Sequence, residues 1–402
     1  MAGLIEGVRV VELASEGAAF AGKLLAGMGA EVVVVEPPGG HHTRTFGPFA
    51  DDVPHPEGSL WWRHYNMGKQ GVTIDLDVDA AAFRELALGA DIVLEAEPPG
   101  RLAELGIDVE AVRELAPDLI WVSVTPVGHD TPGATDPFVD LTVQARGGPA
   151  WSCGYDDHSL PPVRPGGNQG YHTASLWAVM GALTALIHRE AGGGGQRVDV
   201  SMVAAANVTT ELASYTWLVE EKTVQRQTGR HASVIVPTAE TLAVAADGRY
   251  VTTGVPPRTG REFTLLLRWL DDLGLREEFD DLIFLELGAE RDHIDLAMVG
   301  VDPETTEIFG AGRSATVFIA SQLDAYEFFV QGQEHGLTCG IVYSPDELLA
   351  DPHFVDRGFP VAVDDDVLGR SYVVPGAPFV STESTYRVTR APAIGEHNHL
   401  RP

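Results

Sequence analysis

The 402-residue chain carries 27 basic against 58 acidic side chains, a formal net charge of −31, with 44% apolar and 21% charged residues. That balance excludes a disordered chain, repels nucleic acid and anionic membrane surfaces, and reads as an acid-rich surface. No run approaches the roughly 20 apolar residues of a membrane span, and the start MAGLIEGVRVVELA has no basic segment ahead of a cleavable apolar stretch, so a cytoplasmic protein is expected.

The length allows one large domain and a smaller one. Cys153 and Cys339 are the only cysteines, far apart and outside any C-x-x-C pattern, so neither a disulfide framework nor a thiolate metal site is expected. His41 and His42 are adjacent, but neighbouring side chains are expected to point apart and nothing nearby completes a ligand set, so no metal is assigned.

In chain order, VRVVEL (8–13), a helix over 18–30 and EVVVVE (31–36) form a β-α-β unit. VTIDLD (72–77) and DIVLEA (91–96) each precede a helical stretch, and LIWVSVT (119–125) ends at a Gly/Pro/Asp-rich connection spanning 126–170. Strands alternating with helices predict an open, doubly wound α/β sheet. The first turn, LASEGAAFAG, has no G-x-G-x-x-G, so a nicotinamide dinucleotide is rejected despite Glu36 at the tip of the second strand. A long apolar helix over 172–191 stops at four glycines (192–195), a linker that lacks the Lys and Ser/Thr of a phosphate loop, before the strand QRVDVSM (196–202). A helix-rich segment over 225–330 predicts the small domain, flanked by a large domain built from 1–224 and 331–402.

Nine stretches in series resemble the family III CoA-transferases, the group of formyl-CoA transferase, carnitine CoA-transferase and α-methylacyl-CoA racemase. They include GVRVVELASEGAAFAGKLLAGMGAEVVVVEPPGG, NMGKQGVTIDLD, PPGRLAELGID, GGGGQRVDVSM, DPHFVDRG and APAIGEHN, in the family's order over nearly the whole chain. The resemblance implies a Rossmann-like large domain with a smaller α+β domain, two chains interlocked as a homodimer, and coenzyme A or an acyl-CoA as substrate with no permanently bound cofactor. It also implies an aspartate at the start of the long helix that carries the acyl group through a mixed anhydride and an enzyme-bound thioester. Counting back from Ser175 places Tyr171 at that position, and no carboxylate occurs between Asp157 and Glu190.

The racemases of the family place a histidine before an aspartate in the preceding loop; here the pair reads Val139 and Asp140. Valine moves no protons, so racemisation is not expected. The positions implied to hold CoA also depart, with Pro37 in place of a basic residue, Ala96 and Glu97 in place of Asn and Phe, and Glu104 in place of a base. Arg44 and Lys69 remain as either phosphate contacts or solvated surface cations, and Glu16, Met67 and Leu105 complete the implied CoA-binding set.

Tyr171 is then either a phenol acid/base, its pKa lowered by positive charge at a helix start, or a wall residue filling the vacated place. His172 is the group there that titrates near neutrality unaided, against a structural role in bonding a carbonyl. Asp140 is either a third polar group of the cavity or a loop anchor. Glu240 is read as a strand-end charge of the small domain facing the cleft. The functional expectation is an atypical family III enzyme acting on an acyl-CoA or related carboxylate without the aspartyl nucleophile. Its alternatives are a non-catalytic subunit pairing with an active homologue, or altered chemistry on a substrate lacking CoA.

Overall fold

The computed structural model describes residues 1–228, 230–233 and 241–402, and the chain divides into two compact units. Met1–Gln227 and Leu349–Pro402 belong to the first, and the described residues 241–348 to the second. Glu240 lies outside the described residues.

The first unit is organised by six strands: β1 (Arg9–Leu13), β2 (Glu31–Glu36), β3 (Gln70–Thr73), β4 (Ile92–Glu95), β5 (Ile120–Thr125) and β6 (Arg197–Ser201). All pair in parallel, in the order β3-β2-β1-β4-β5-β6. This is the order of doubly wound sheets, in which chain direction across the sheet reverses between β1 and β4. The strands are Val-rich because both faces are covered. Val10, Val32, Ile92 and Val122 point to one face, under the apolar cluster that includes Ala18, Leu25, Ala178 and Ala182. Their neighbours Val11, Val33, Val93 and Trp121 point to the other, with Phe83, Leu86 and Val112. The period-2 alternation of a strand produces this split.

The helices of this unit that shape the site are α1 (Ala19–Gly27), α2 (Leu60–Tyr65), α3 (Asp140–Gly147) and α4 (Gln169–Glu190). Helix α4 spans 22 residues, and Ala174, Ala178, Ala182 and Ala185 give it a flat buried side. Two expectations are corrected here. Strand β3 covers 70–73 rather than 72–77, because the Thr73 N–H turns to Asn398 Oδ1 at 2.8 Å while the Asp77 N–H bonds back to Asp75 at 3.1 Å. The connection 126–170 is not all loop, since α3 and a short turn of helix at Pro149–Ser152 lie within it.

Buried ion pairs fasten residues 37–69 to the chain's last segment. The Arg44 guanidinium donates to both oxygens of Glu36 at 2.8 Å, to Glu57 at 3.0 Å and to the Pro392 carbonyl, and it stacks 3.8 Å from the Trp62 ring. Arg63 Nη1 donates to both oxygens of Asp365, at 3.1 and 2.9 Å. Beneath α1, Lys69 Nζ is fully enclosed between Glu12 at 2.8 Å, the Ala19 carbonyl and Asn66 Oδ1. Gly22 permits that approach, because a Cβ there would sit 1.7 Å from Glu12 Oε2.

The second unit packs helices at Gly260–Leu273, Leu282–Ala289, Pro303–Ala320 and Ala325–Glu334 around Phe263, Trp269, Leu270 and Phe328. Thr259 and Glu262 close a reciprocal capping box at the first of these. The sequence boundary at 331 moves to 348, because Gly340–Val342 pairs antiparallel with Tyr250–Thr252 in this unit's own sheet.

Both Glu12 and Lys69 are wholly buried, and burial pushes the Glu12 carboxyl up to about 7 against the pull of Lys69. Lys69→Met leaves that carboxylate unpaired and is expected to destabilise the protein by about 3–5 kcal/mol in urea unfolding, whereas the double variant Glu12→Gln/Lys69→Met recovers most of the loss. Equal loss in the single and double variants would show that the pair is not what holds α1 to the sheet.

Candidate active site

Helix α4 begins against a carboxylate. Asp140 is 6% exposed, and its Oδ1 accepts the backbone N–H groups of Gly170 at 2.8 Å and Tyr171 at 3.2 Å. Its Oδ2 accepts from Gln144 Nε2 at 2.6 Å and Arg164 Nη1 at 3.0 Å. Two of the unsatisfied N–H groups of the helix start are thereby paired, and a negative charge stands at the positive end of the helix. With four donors on its two oxygens, Asp140 works as an anchor for α4. Its two oxygens are taken up by these four donors.

Tyr171 follows at once, 6% exposed and within the apolar cluster of the sheet. The expected lowering of its pKa by positive charge is reversed. Burial, and then the charges of Glu16 and Asp140, push the phenol well above its ordinary value. Near neutrality the phenol keeps its proton and packs in the apolar cluster.

His172 turns to the other side of the helix. Its Nε2 shares a 2.8 Å hydrogen bond with the Tyr65 hydroxyl, which also accepts from Asn168 Nδ2 at 3.3 Å. Burial lowers its pKa, Asp140 opposes that shift, and Lys23 adds to it. The imidazole is therefore neutral and positioned by Tyr65. A succession of rings continues from it, with Phe20 at 4.4 Å from His172, Trp61 at 4.3 Å from Tyr65 and Phe46 at 5.6 Å from Trp61. His42 closes the row beside Phe46, and His41 and His42 pack ring on ring at 4.1 Å instead of pointing apart, because a short 3-10 turn begins there. Among the described residues no group of three or more His, Cys, Asp or Glu is arranged to hold a metal.

Of the residues expected to contact CoA, Glu16 stands near Tyr171 and bonds His42 at 3.2 Å. Arg44 and Lys69 are corrected, since both cations are buried and already matched by Glu36, Glu57 and Glu12, with nothing left for a phosphate. Met67 is corrected too, being a 4% exposed core residue packed with Val363 and Val374. Leu105 packs against the cluster under the outer face of the sheet.

Beyond the carboxyl end of β4, the ligand side of a doubly wound sheet, lies a cavity of about 460 Å³. Glu95, Glu97, Asp108 and Glu110 line it, with Arg197 and His129 as its basic residues. Burial raises the pKa of Glu95 and of Glu97, and Glu95 raises Glu97 further. Such a wall repels a polyphosphate.

The sequence reading missed Lys23, Tyr65, His64 and Arg164. Lys23 was legible only as a member of the helix over 18–30, and His64 falls where no element was predicted, because their convergence on His172 needs α1, α2 and α4 brought together.

Asp140→Ala removes the acceptor of two helix N–H groups and of Arg164. Expected is a loss of about 3 kcal/mol in urea unfolding, with partial rescue by Asp140→Asn, which retains an acceptor. A loss below about 0.5 kcal/mol would contradict the anchoring role.

A family profile described as CoA-transferase family III matches residues 5–279 and 317–398. Succinyl-CoA:(R)-benzylsuccinate CoA-transferase subunit BbsE of Thauera aromatica is 33% identical over 397 residues, covering 97% of this chain and 91% of that protein. Succinyl-CoA–D-citramalate CoA-transferase of Chloroflexus aurantiacus is 30% identical, covering 98% and 92%. A CAIB/BAIF family protein from Brucella suis superposes with a TM-score of 0.77 at 23% identity, over 99% of this chain and 98% of that one. The fold and the sequence agree, and the chain belongs to CoA-transferase family III.

Proposed function

We propose that this chain is the aspartate-free subunit of a family III CoA-transferase and works beside a second family III chain that carries the acyl group. The observation behind this reading is Tyr171. Where an acyl-carrying carboxylate would stand, there is a buried phenol whose pKa is pushed up. A phenol of that kind does not replace a carboxylate that must attack a thioester and leave again.

Three further features favour the subunit reading over a stand-alone enzyme. The nearest carboxylate, Asp140, is consumed by four hydrogen bonds. Arg44 and Lys69 are internal, and the cavity beyond β4 is acidic. The helix Glu211–Glu220 buries none of its residues, leaving Tyr215, Trp217, Leu218 and Val219 exposed, which suits a chain that is covered by another. The relative from Thauera aromatica is itself named as a subunit, and other relatives are named as CoA-transferases that pair succinyl-CoA, acetyl-CoA or formyl-CoA with organic acids. The substrate class is accordingly a CoA thioester with a small carboxylic acid.

Stand-alone chemistry would have to run through His172, a neutral imidazole held by Tyr65. Exchange of labelled succinate into succinyl-CoA tests the choice. The purified chain is expected to exchange at least about a thousandfold more slowly than a family member bearing the aspartate. Tyr171→Asp alone is expected to restore little, since the phosphate contacts are missing as well. Exchange by the wild-type chain at the rate of an aspartate-bearing relative would overturn the subunit reading.

A further inference from the structure

The chain has only three lysines, Lys23, Lys69 and Lys222. Lys222 is exposed and pairs with Glu220, and Lys69 is enclosed with Glu12. Lys23 differs from both. It is 9% exposed, yet among the described residues its amine makes no hydrogen bond and no ion pair. Its amine keeps some contact with solvent. The other buried cations, Arg44, Arg63 and Lys69, all have carboxylate partners. A mostly buried ammonium without a counter-charge is costly, and burial and then Lys69 lower its pKa to about 8, so an anion that reaches it from solvent finds an unmatched positive charge.

Its neighbours are of one kind. Phe20 lies one turn back on the same face of α1 and stacks on His172, which brings the Lys23 amine within electrostatic reach of His172 from α4 and His64 from α2. The ammonium of Lys69 is also within reach, and Asp140 acts on His172 from beyond. The ring of His64 packs edge-on to Tyr65 at 4.8 Å and has no hydrogen-bond partner among the described residues. Burial, then Lys23 and His172, lowers the pKa of His64 to about 3, so at neutral pH it contributes N–H groups and no charge.

We propose that Lys23, His64 and His172 form a binding site for a small organic carboxylate. The ammonium supplies the single counter-charge and the neutral imidazoles supply N–H donors. Phe20 and Tyr65 wall the apolar body of the acid. One fixed positive charge matches a single carboxylate head, with the second carboxylate of a dicarboxylate two methylenes away, whereas a phosphate monoester concentrates about −1.5 to −2 on one head and needs more. The site deepens the proposed function by naming what holds the acid, and it concerns binding only.

With so few lysines, amine labelling reads the site directly. The full chain is reductively methylated near pH 8, with succinate, acetate or sulfate as probe, and each lysine is quantified by peptide mass spectrometry. Succinate at about ten times its dissociation constant is expected to slow labelling of Lys23 about tenfold, with Lys222 unchanged and sulfate without effect. Lys23→Met is expected to fold, with a melting temperature at or above that of the wild type, and to lose the rise in melting temperature that succinate gives. Labelling of Lys23 indifferent to succinate and acetate would overturn the proposal, as would equal protection by sulfate or a retained succinate shift in Lys23→Met. Succinate exchange by the chain alone would sink the subunit reading and leave this result untouched. Absence of protection would sink the site and leave the subunit reading standing.

Discussion

The charge of Asp140 at the start of the long helix is the interaction on which the site depends. One carboxylate takes two helix N–H groups, a glutamine amide and a guanidinium, and so fixes where Gly170, Tyr171 and His172 stand. Because 3.6 residues make a turn, consecutive side chains leave the helix about 100° apart. Tyr171 therefore enters the apolar cluster while His172 swings toward Phe20 and Tyr65. Burial pushes the phenol up first, and the anchor adds a second negative charge beside that of Glu16, so Tyr171 holds its proton.

Two kinds of buried charge shape the rest of the unit. Arg44, Arg63 and Lys69 are matched by carboxylates and act as fasteners between segments distant in sequence. Such pairs gain little over an apolar core but are costly to break singly, so they fix one arrangement of the loops around the site. Lys23 has no such match among the described residues, and this separates a structural cation from one available to a ligand.

Much of the fold was legible from alternation and turn residues. The runs RVVEL, EVVVVE, IVLE and IWVSVT all became parallel strands of the sheet, because β-branched residues buried on both faces leave no other pattern. Less of the site was legible. The absence of a carboxylate at Tyr171 could be counted, but its pKa rises because the fold buries it and then sets Glu16 and Asp140 near it, none of which the sequence shows. Arg44 and Lys69 looked like phosphate contacts because a sequence shows a cation and hides its partner, and Glu36 and Glu12 arrive from other strands. Lys23 was hidden for the opposite reason, since it reads as an ordinary residue in an amphipathic helix until its neighbours prove to be imidazoles and aromatic rings.

The central claim is that no side chain of this protein carries the acyl group. Intact-mass spectrometry of the chain after incubation with succinyl-CoA and hydroxylamine tests it most directly, because an activated carboxylate is converted to a hydroxamate and leaves a lasting mass change. The account predicts an unchanged mass for this chain, under conditions in which an aspartate-bearing relative is modified. A hydroxamate on any Asp or Glu of this chain, formed only with the thioester present, would contradict it.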